Sequence, residues 1–93
     1  MTYRKRADKN HSEISVALRK IGCKVLDLSR VGGGVPDILV RRPDGCLLLL
    51  ELKTSTGRLN EKQKLFHNEW SGSTFVVRTP MEAVETVTGY RHG

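Results

Sequence analysis

Hydrophobic residues near the start of the chain recur with the period of an α-helix. The residues that share one face at this spacing are Ile14, Ala17, Leu18 and Ile21. The polar residues that could cap the start of the helix are Asp8, Asn10 and Ser12. Gly22 could end the helix, because glycine is common just past the last turn. The segment therefore predicts an amphipathic helix with one buried face.

Shorter apolar segments follow, separated by turns and loops. They predict strands at 23–28, 37–41, 46–53 and 74–78, and helices at 60–71 and from residue 79 onward. In the last helix Thr79 is the expected cap, Pro80 suits the first helical position and Glu82 completes a capping box. This order predicts one α/β domain over 1–93, with a single mixed four-stranded sheet flanked by helices.

The loop between the second and third strands predicts how they pair. Pro43, Asp44 and Gly45 suit a type I turn followed by a left-handed residue, which is a common three-residue hairpin loop. The pairs expected from this geometry are Val40 with Leu48, Ile38 with Leu50, and Asp37 with Glu51. The run Leu47–Leu50 is typical of a strand that is buried on both faces.

The predicted register places two carboxylates opposite each other on one face of the sheet. The Cβ atoms of Asp37 and Glu51 would be about 5 Å apart, so their charges would repel unless something neutralises them. A divalent cation with oxygen ligands does this well, and Lys53 projects from the same face. The alternative is a solvated strand end at which Lys53 simply pairs with Glu51.

Two polar residues on the predicted helices point to the same region. Glu13 lies at the edge of the apolar face of the first helix and can lean toward the sheet. Gln63 interrupts an otherwise apolar face formed by Leu59, Phe66 and Trp70. A buried amide needs hydrogen-bonding partners, so Gln63 is either a satisfied core residue or part of a site.

Charge and cysteine content limit the classes of function that the chain could have. The 93 residues carry a net charge of +6, and the excess lies before Ser73. A one-sided basic surface attracts nucleic acid, although a solubilising surface explains the charge equally well. The two cysteines form no CxxC pair, which excludes a disulfide scaffold and a cysteine zinc site. We expect a cytoplasmic protein, since no segment is apolar enough to span a membrane.

Three motifs together resemble the virus-type replication-repair nuclease (VRR-NUC) family of the PD-(D/E)XK superfamily. They are VPD at 35–37, ELK at 51–53 and GRLNEKQ at 57–63. The resemblance extends from the first helix to the last and is closest to the short stand-alone members found in phages. It implies the minimal restriction-endonuclease-like fold, with the element order αβββαβα, and a bacterial or phage-infected cell as the setting.

The resemblance also implies roles for individual residues. Asp37, Glu51, Lys53 and Gln63 match the catalytic positions, and a metal ion, Mg²⁺ with Mn²⁺ as a substitute, would be bound by Asp37, Glu51, the Leu52 carbonyl and Glu13. The nucleic-acid contacts expected beside them are Arg30, Gly32, Gly33, Gly34 and Arg58. The glycines lack side chains, so a DNA backbone could approach closely, although an ordinary turn explains them equally well.

The function expected from these residues is divalent-metal-dependent cleavage of DNA. The resemblance favours a homodimer that acts on branched or double-stranded DNA, with four-way junctions as the first choice of substrate. The alternatives are a basic DNA-binding module without activity and a non-specific or RNA-directed nuclease of the same fold. His11, His67 and His92 show no metal-ligand spacing and are expected to be structural or solvent-exposed.

Overall fold

The computed structural model describes residues 6–91, of which the first three are described by their backbone alone. It contains three helices and four strands within this part of the chain. They are α1 (Arg6–Lys20), β1 (Lys24–Asp27), β2 (Ile38–Arg41), β3 (Leu47–Leu52), α2 (Glu61–Glu69), β4 (Thr74–Val77) and α3 (Pro80–Gly89). The predicted order of elements is confirmed. No helix in the described range is long and apolar enough to cross a membrane.

The four strands form one mixed sheet in the order β1-β2-β3-β4. The first three strands are connected in sequence and pair antiparallel. Strands β3 and β4 pair parallel, because α2 carries the chain back to the starting edge of the sheet. The fold class expected from the sequence, a mixed four-stranded sheet with helices, is confirmed.

The hairpin between β2 and β3 has the predicted register. Val40 lies opposite Leu48, and Ile38 lies opposite Leu50. At the turn the Arg42 amide donates to the Cys46 carbonyl at 2.8 Å, and Gly45 has φ 91°, in the left-handed region. The turn residues therefore set the pairing as expected, and with it the face on which each β3 side chain lies.

The core lies on one face of the sheet, where α1 and α3 pack together against the strands. The fully buried core side chains are Ile14, Leu18, Ile38, Val40, Leu50, Val77, Ala83 and Val87. The prediction that the leucine run is buried on both faces is wrong. Leu48 and Leu50 are buried, but Leu47 is 54% exposed on the opposite face. Among the described residues, the helix on that face is α2, which contacts the sheet through Gln63 and Glu51.

Helix α2 contributes no buried residue to the core. The predicted apolar face at Leu59, Phe66 and Trp70 is not a core face, since the Trp70 side chain is 53% exposed and stacks on Phe66 with ring centroids 5.3 Å apart. Two hydrogen bonds stabilise the start of the helix instead. The Asn60 side chain accepts from the Gln63 backbone amide, and the Gln63 side chain accepts from the Asn60 backbone amide, at 2.9 Å each. Such a capping box stabilises a helix start without burial.

The ends of α1 differ in how well the sequence predicted them. The helix is already formed at Arg6, so Asp8, Asn10 and Ser12 lie inside it and do not cap its start. At the other end the prediction is confirmed. Gly22 has φ 92°, and the amide of Cys23 donates to the Leu18 carbonyl at 3.1 Å, as in a Schellman motif.

Helix α3 begins almost as predicted. The Thr79 hydroxyl accepts from the Glu82 amide at 3.0 Å, and Pro80 takes the first helical position. The predicted capping box is displaced by one residue, however. The Glu82 carboxylate accepts from the Arg78 amide at 2.7 Å, one residue before the cap. Helix α3 therefore fixes the backbone of Arg78.

Gly34 packs directly against the first turn of α2. It has φ +87°, and a Cβ atom at this position would lie 2.4 Å from the carbonyl oxygen of Lys62. Contacts this short do not occur between real Cβ atoms and backbone. The absence of a side chain at Gly34 is therefore what allows the glycine loop and α2 to meet.

Replacing Gly34 by alanine should destabilise the fold by clearly more than the penalty for a left-handed alanine, which is about 1–2 kcal/mol. The matched control is Gly33→Ala, because Gly33 also has a positive φ but a Cβ there would meet no atom within 4 Å. Urea denaturation of both variants measures the difference. Equal losses of unfolding free energy would show that α2 moves aside without cost.

Candidate metal and catalytic site

Two carboxylates lie side by side at the end of the sheet where β2 begins and β3 ends. Asp37 directly precedes β2, and its backbone carbonyl accepts from the Leu28 amide at 2.7 Å. Its side-chain oxygen Oδ2 accepts from the Leu52 amide at 2.8 Å, which ties it to β3 beside Glu51. Because Ile38 lies opposite Leu50, the next position of the same register brings Asp37 to Glu51.

The Glu51 side chain is buried, at 2% exposure, and three other side chains surround it. Its Oε2 accepts from the Gln63 amide nitrogen at 3.3 Å and lies 3.7 Å from the Lys53 ammonium. The structure thus brings together Asp37, Glu51, Lys53 and Gln63 from β2, β3 and α2. Because Glu51 is buried, the alternative prediction of a strand end exposed to solvent does not describe this site.

Several causes together raise the pKa of the Glu51 carboxyl from its ordinary 4.5 to about 8. Burial is the largest cause, because it disfavours the charged form, and the neighbouring Asp37 carboxylate adds to the rise, since two adjacent carboxylates repel each other when both are ionised. Lys53 lowers this pKa less strongly. One lysine does not supply enough positive charge for both.

The oxygen atoms present suit a hard divalent cation. Glu51 Oε1 is buried and has no hydrogen-bonding partner among the described residues, so this oxygen is available to bind a ligand. Mg²⁺ is commonly held by one or two carboxylates, with water and substrate phosphate completing its coordination. No group of three acidic, histidine or cysteine side chains occurs within 6–91, so Asp37 and Glu51 would be the only side-chain ligands of these types.

Glu13 is not brought to this pair. Its side chain is 51% exposed and lies 4.0 Å from the ammonium of Lys9, one turn earlier in α1. The neighbouring Ile14 takes the buried position that faces the sheet, which turns Glu13 toward solvent. The Leu52 carbonyl remains a predicted ligand, while the Leu52 amide serves to hold Asp37.

Gln63 has two functions that the sequence could not separate. Its amide nitrogen contacts Glu51, and its carbonyl oxygen accepts from the Asn60 amide at the start of α2. The residue is therefore neither a core glutamine nor a free polar group. It couples the start of α2 to the carboxylate pair.

His67 is a neighbour of the site that sequence reasoning missed. It follows Gln63 by four residues in α2, so both side chains share one helical face. Its ring atom Nε2 is buried without a partner among the described residues, and burial together with the charge of Lys53 lowers the pKa of the imidazole. The spacing from Gln63 was the available signal, because any residue four positions on must face the same way.

The predicted nucleic-acid contacts lie on the two loops that adjoin the carboxylates. Arg30, Gly32 and Gly33 are exposed in the loop that leads into Asp37, and Arg58 is exposed in the loop that follows Lys53. Gly34 differs, since it is partly buried against α2. His11 lies 4.0 Å from Asp27, at the end of β1, and His92 lies outside the described residues.

The raised pKa of Glu51 makes the stability of the metal-free protein depend on pH. Between its unfolded value near 4.5 and its folded value of about 8, the folded state holds more protons than the unfolded state. The free energy of unfolding should therefore fall as pH rises through this window, by at most about 1.4 kcal/mol per pH unit for one proton.

Denaturation of the metal-free protein at several pH values measures this slope. Glu51→Gln, which mimics the protonated acid, should flatten it, whereas Glu85→Gln on the exposed side of α3 should leave it unchanged. A slope that persists in Glu51→Gln would assign the titration to another group.

Comparisons with known proteins place this geometry in a known fold. No protein-family model matches the chain, and no curated protein matches it. One solved structure, described as a VRR_NUC domain, matches with a TM-score of 0.79 and 22% sequence identity, over 95% of this chain and 100% of the other. The chain therefore has the fold of a VRR_NUC domain, and the fold class implied by the sequence resemblance is confirmed.

Proposed function

We propose that the protein is a divalent-metal-dependent nuclease that hydrolyses phosphodiester bonds in DNA. The observation that carries this proposal is the pairing of Asp37 with the buried Glu51, whose Oε1 has no partner among the described residues and whose Oε2 lies 3.7 Å from the Lys53 ammonium. The similarity of the fold to that of a VRR_NUC domain supports the nuclease class, and the motifs VPD and ELK supply the residues of the proposed site.

The chemistry divides between the cation and the chain. When bound, Mg²⁺ or Mn²⁺ would polarise a phosphoryl oxygen and lower the pKa of a water molecule. Asp37 and Glu51 would hold the cation by their carboxylates. Lys53 stands beside Glu51, where its ammonium can orient the attacking water or stabilise the negative charge that develops on the phosphate. Gln63 keeps Glu51 in place through its hydrogen bond.

A basic DNA-binding module without activity explains these residues less well. Two carboxylates beside a phosphate backbone would repel it, and burying Glu51 next to Asp37 opposes its ionisation. A protein that only binds DNA gains nothing from either feature. Both are useful if a cation is bound between carboxylate and phosphate, as a metal-dependent nuclease requires.

Purified protein should cleave DNA in the presence of Mg²⁺ or Mn²⁺, and chelation should stop cleavage. Asp37→Ala and Lys53→Ala should each lower the rate by at least about 100-fold, because each removes an interaction made in the transition state. Binding of DNA without metal should persist in both. A gel assay on labelled DNA measures cleavage, and Lys24→Ala, on the far edge strand, serves as a control of equal charge loss. Undiminished cleavage by either site variant would overturn the assignment.

We further propose that the active form is a homodimer that prefers four-way junctions. The face of the sheet opposite the core is partly bare: Leu26, Leu39 and Leu49 are cross-strand neighbours there, and Leu26 and Leu47 are exposed. A small domain gains stability by burying such a face against a symmetric partner. Two related sites would suit a substrate of two-fold symmetry.

Light scattering at micromolar concentration should give the mass of two chains, and Leu47→Glu should give the mass of one, because a buried charge opposes association. Cleavage of junctions should exceed cleavage of linear duplex of the same sequence. A monomeric wild-type protein that cuts both substrates equally would leave a non-specific metal nuclease in place of this proposal.

A further inference from the structure

The side chain of Asn10 connects α1 to the ends of two strands. Its amide nitrogen donates to the carbonyl oxygen of Lys53 and to that of Arg78, at 3.1 Å each. These carbonyls directly follow β3 and β4, at the point where the parallel pair ends. An amide nitrogen carries two hydrogens, so one asparagine can satisfy both carbonyls at once.

The backbone and the stem of Lys53 are held from several directions. Its amide donates to the Val77 carbonyl at 3.0 Å, while its carbonyl accepts from Asn10. Gly57 packs on its side chain so closely that a Cβ there would lie 3.4 Å from both Cβ and Cδ of Lys53. Lys53 is consequently only 18% exposed at its side chain, although it stands at a strand end.

Arg78 holds the turn that provides this packing. One guanidinium nitrogen donates to the carbonyls of Thr54 and Gly57, at 2.6 and 2.7 Å. The backbone of Arg78 is itself held on both sides, by Glu82 at its amide and by Asn10 at its carbonyl. Asn10 and Arg78 thus hold the main chain of segment 53–57 in place through hydrogen bonds to its carbonyls.

We propose that Asn10 and Arg78 are positioning residues that aim the Lys53 ammonium at Glu51. The proposal rests on the proposed function, in which Lys53 acts on the phosphate or the attacking water. Anchoring α1 does not require Asn10, because the fully buried Ile14 and Leu18 already fasten that helix to the sheet. What the amide adds is a fixed main chain at the residue that carries the ammonium.

Asn10→Ala should lower kcat by about 10- to 100-fold, since small displacements of a reacting group have effects of this size. KM and the affinity for DNA without metal should change little, because the hydrogen bonds of Asn10 go to Lys53 and Arg78 and to none of the predicted DNA contacts. Asn10→Asp should lose at least as much, since it faces two carbonyl oxygens with a carboxylate. Arg78→Met, the substitution used in the control below, removes both hydrogen bonds to the turn, so its kcat should fall as well.

The matched control is Arg42→Met at the opposite end of the hairpin. One guanidinium nitrogen of Arg42 donates to the carbonyls of Val87 and Tyr90, at 2.9 and 2.7 Å, so its loss removes a similar clamp on the main chain. This variant should keep a kcat close to that of the wild type. An equal fall in kcat for Arg42→Met and Asn10→Ala would overturn the proposal, because the effect would then reflect general destabilisation.

A second measurement separates this proposal from the proposed function. NMR relaxation of the Lys53 Cε methylene reports its order without any substrate, and Asn10→Ala should make this group clearly more mobile. If the wild-type protein cleaves no DNA, the proposed function fails, and the relaxation data still decide whether Asn10 positions the lysine. Unchanged order at Lys53 in Asn10→Ala would overturn the positioning role.

Discussion

The contact between the Asp37 carboxylate and the buried Glu51 carboxylate is the constraint on which the rest of the site depends. Burial and the charge of Asp37 both oppose the ionisation of Glu51, so the contact is unfavourable unless other groups maintain it. The fold holds them together by a fixed strand register, by the Leu52 amide on Asp37 and by Gln63 on Glu51. Under the proposed function, this contact lowers stability at a site that a bound cation would complete, a trade common in functional sites.

The sequence predicted the part of this site that depends on local rules. The residues Pro43, Asp44 and Gly45 determine a turn type, and the turn determines the register of the whole hairpin. From the register alone, Asp37 and Glu51 follow as neighbours. The cap at Thr79 and the end of α1 at Gly22 were predictable for the same reason, since each depends on only a few adjacent residues.

The rest depended on contacts between distant parts of the chain. Asn10 is 43 residues from Lys53 and 68 from Arg78, and nothing in its neighbourhood distinguishes it from a helix cap. The same applies to α2: its apolar pattern is ordinary, but within residues 6–91 no second helix shares its layer of the fold, and none of its residues is buried. The structure places Glu13 differently from the prediction. A residue at the edge of a helical face can face either the sheet or solvent, and the packing of Ile14 against the sheet turns Glu13 toward solvent.

Because α2 packs only slightly against the sheet, the site is built from two regions that differ in how readily they unfold locally. Strands β2 and β3 belong to the core, so their amide hydrogens should exchange with solvent only when the whole domain unfolds. Helix α2 buries no side chain, and its amides should exchange through local excursions that leave the sheet intact. Under the proposed function, an excursion that separates Gln63 from Glu51 and admits water would give a cation a route to the carboxylates.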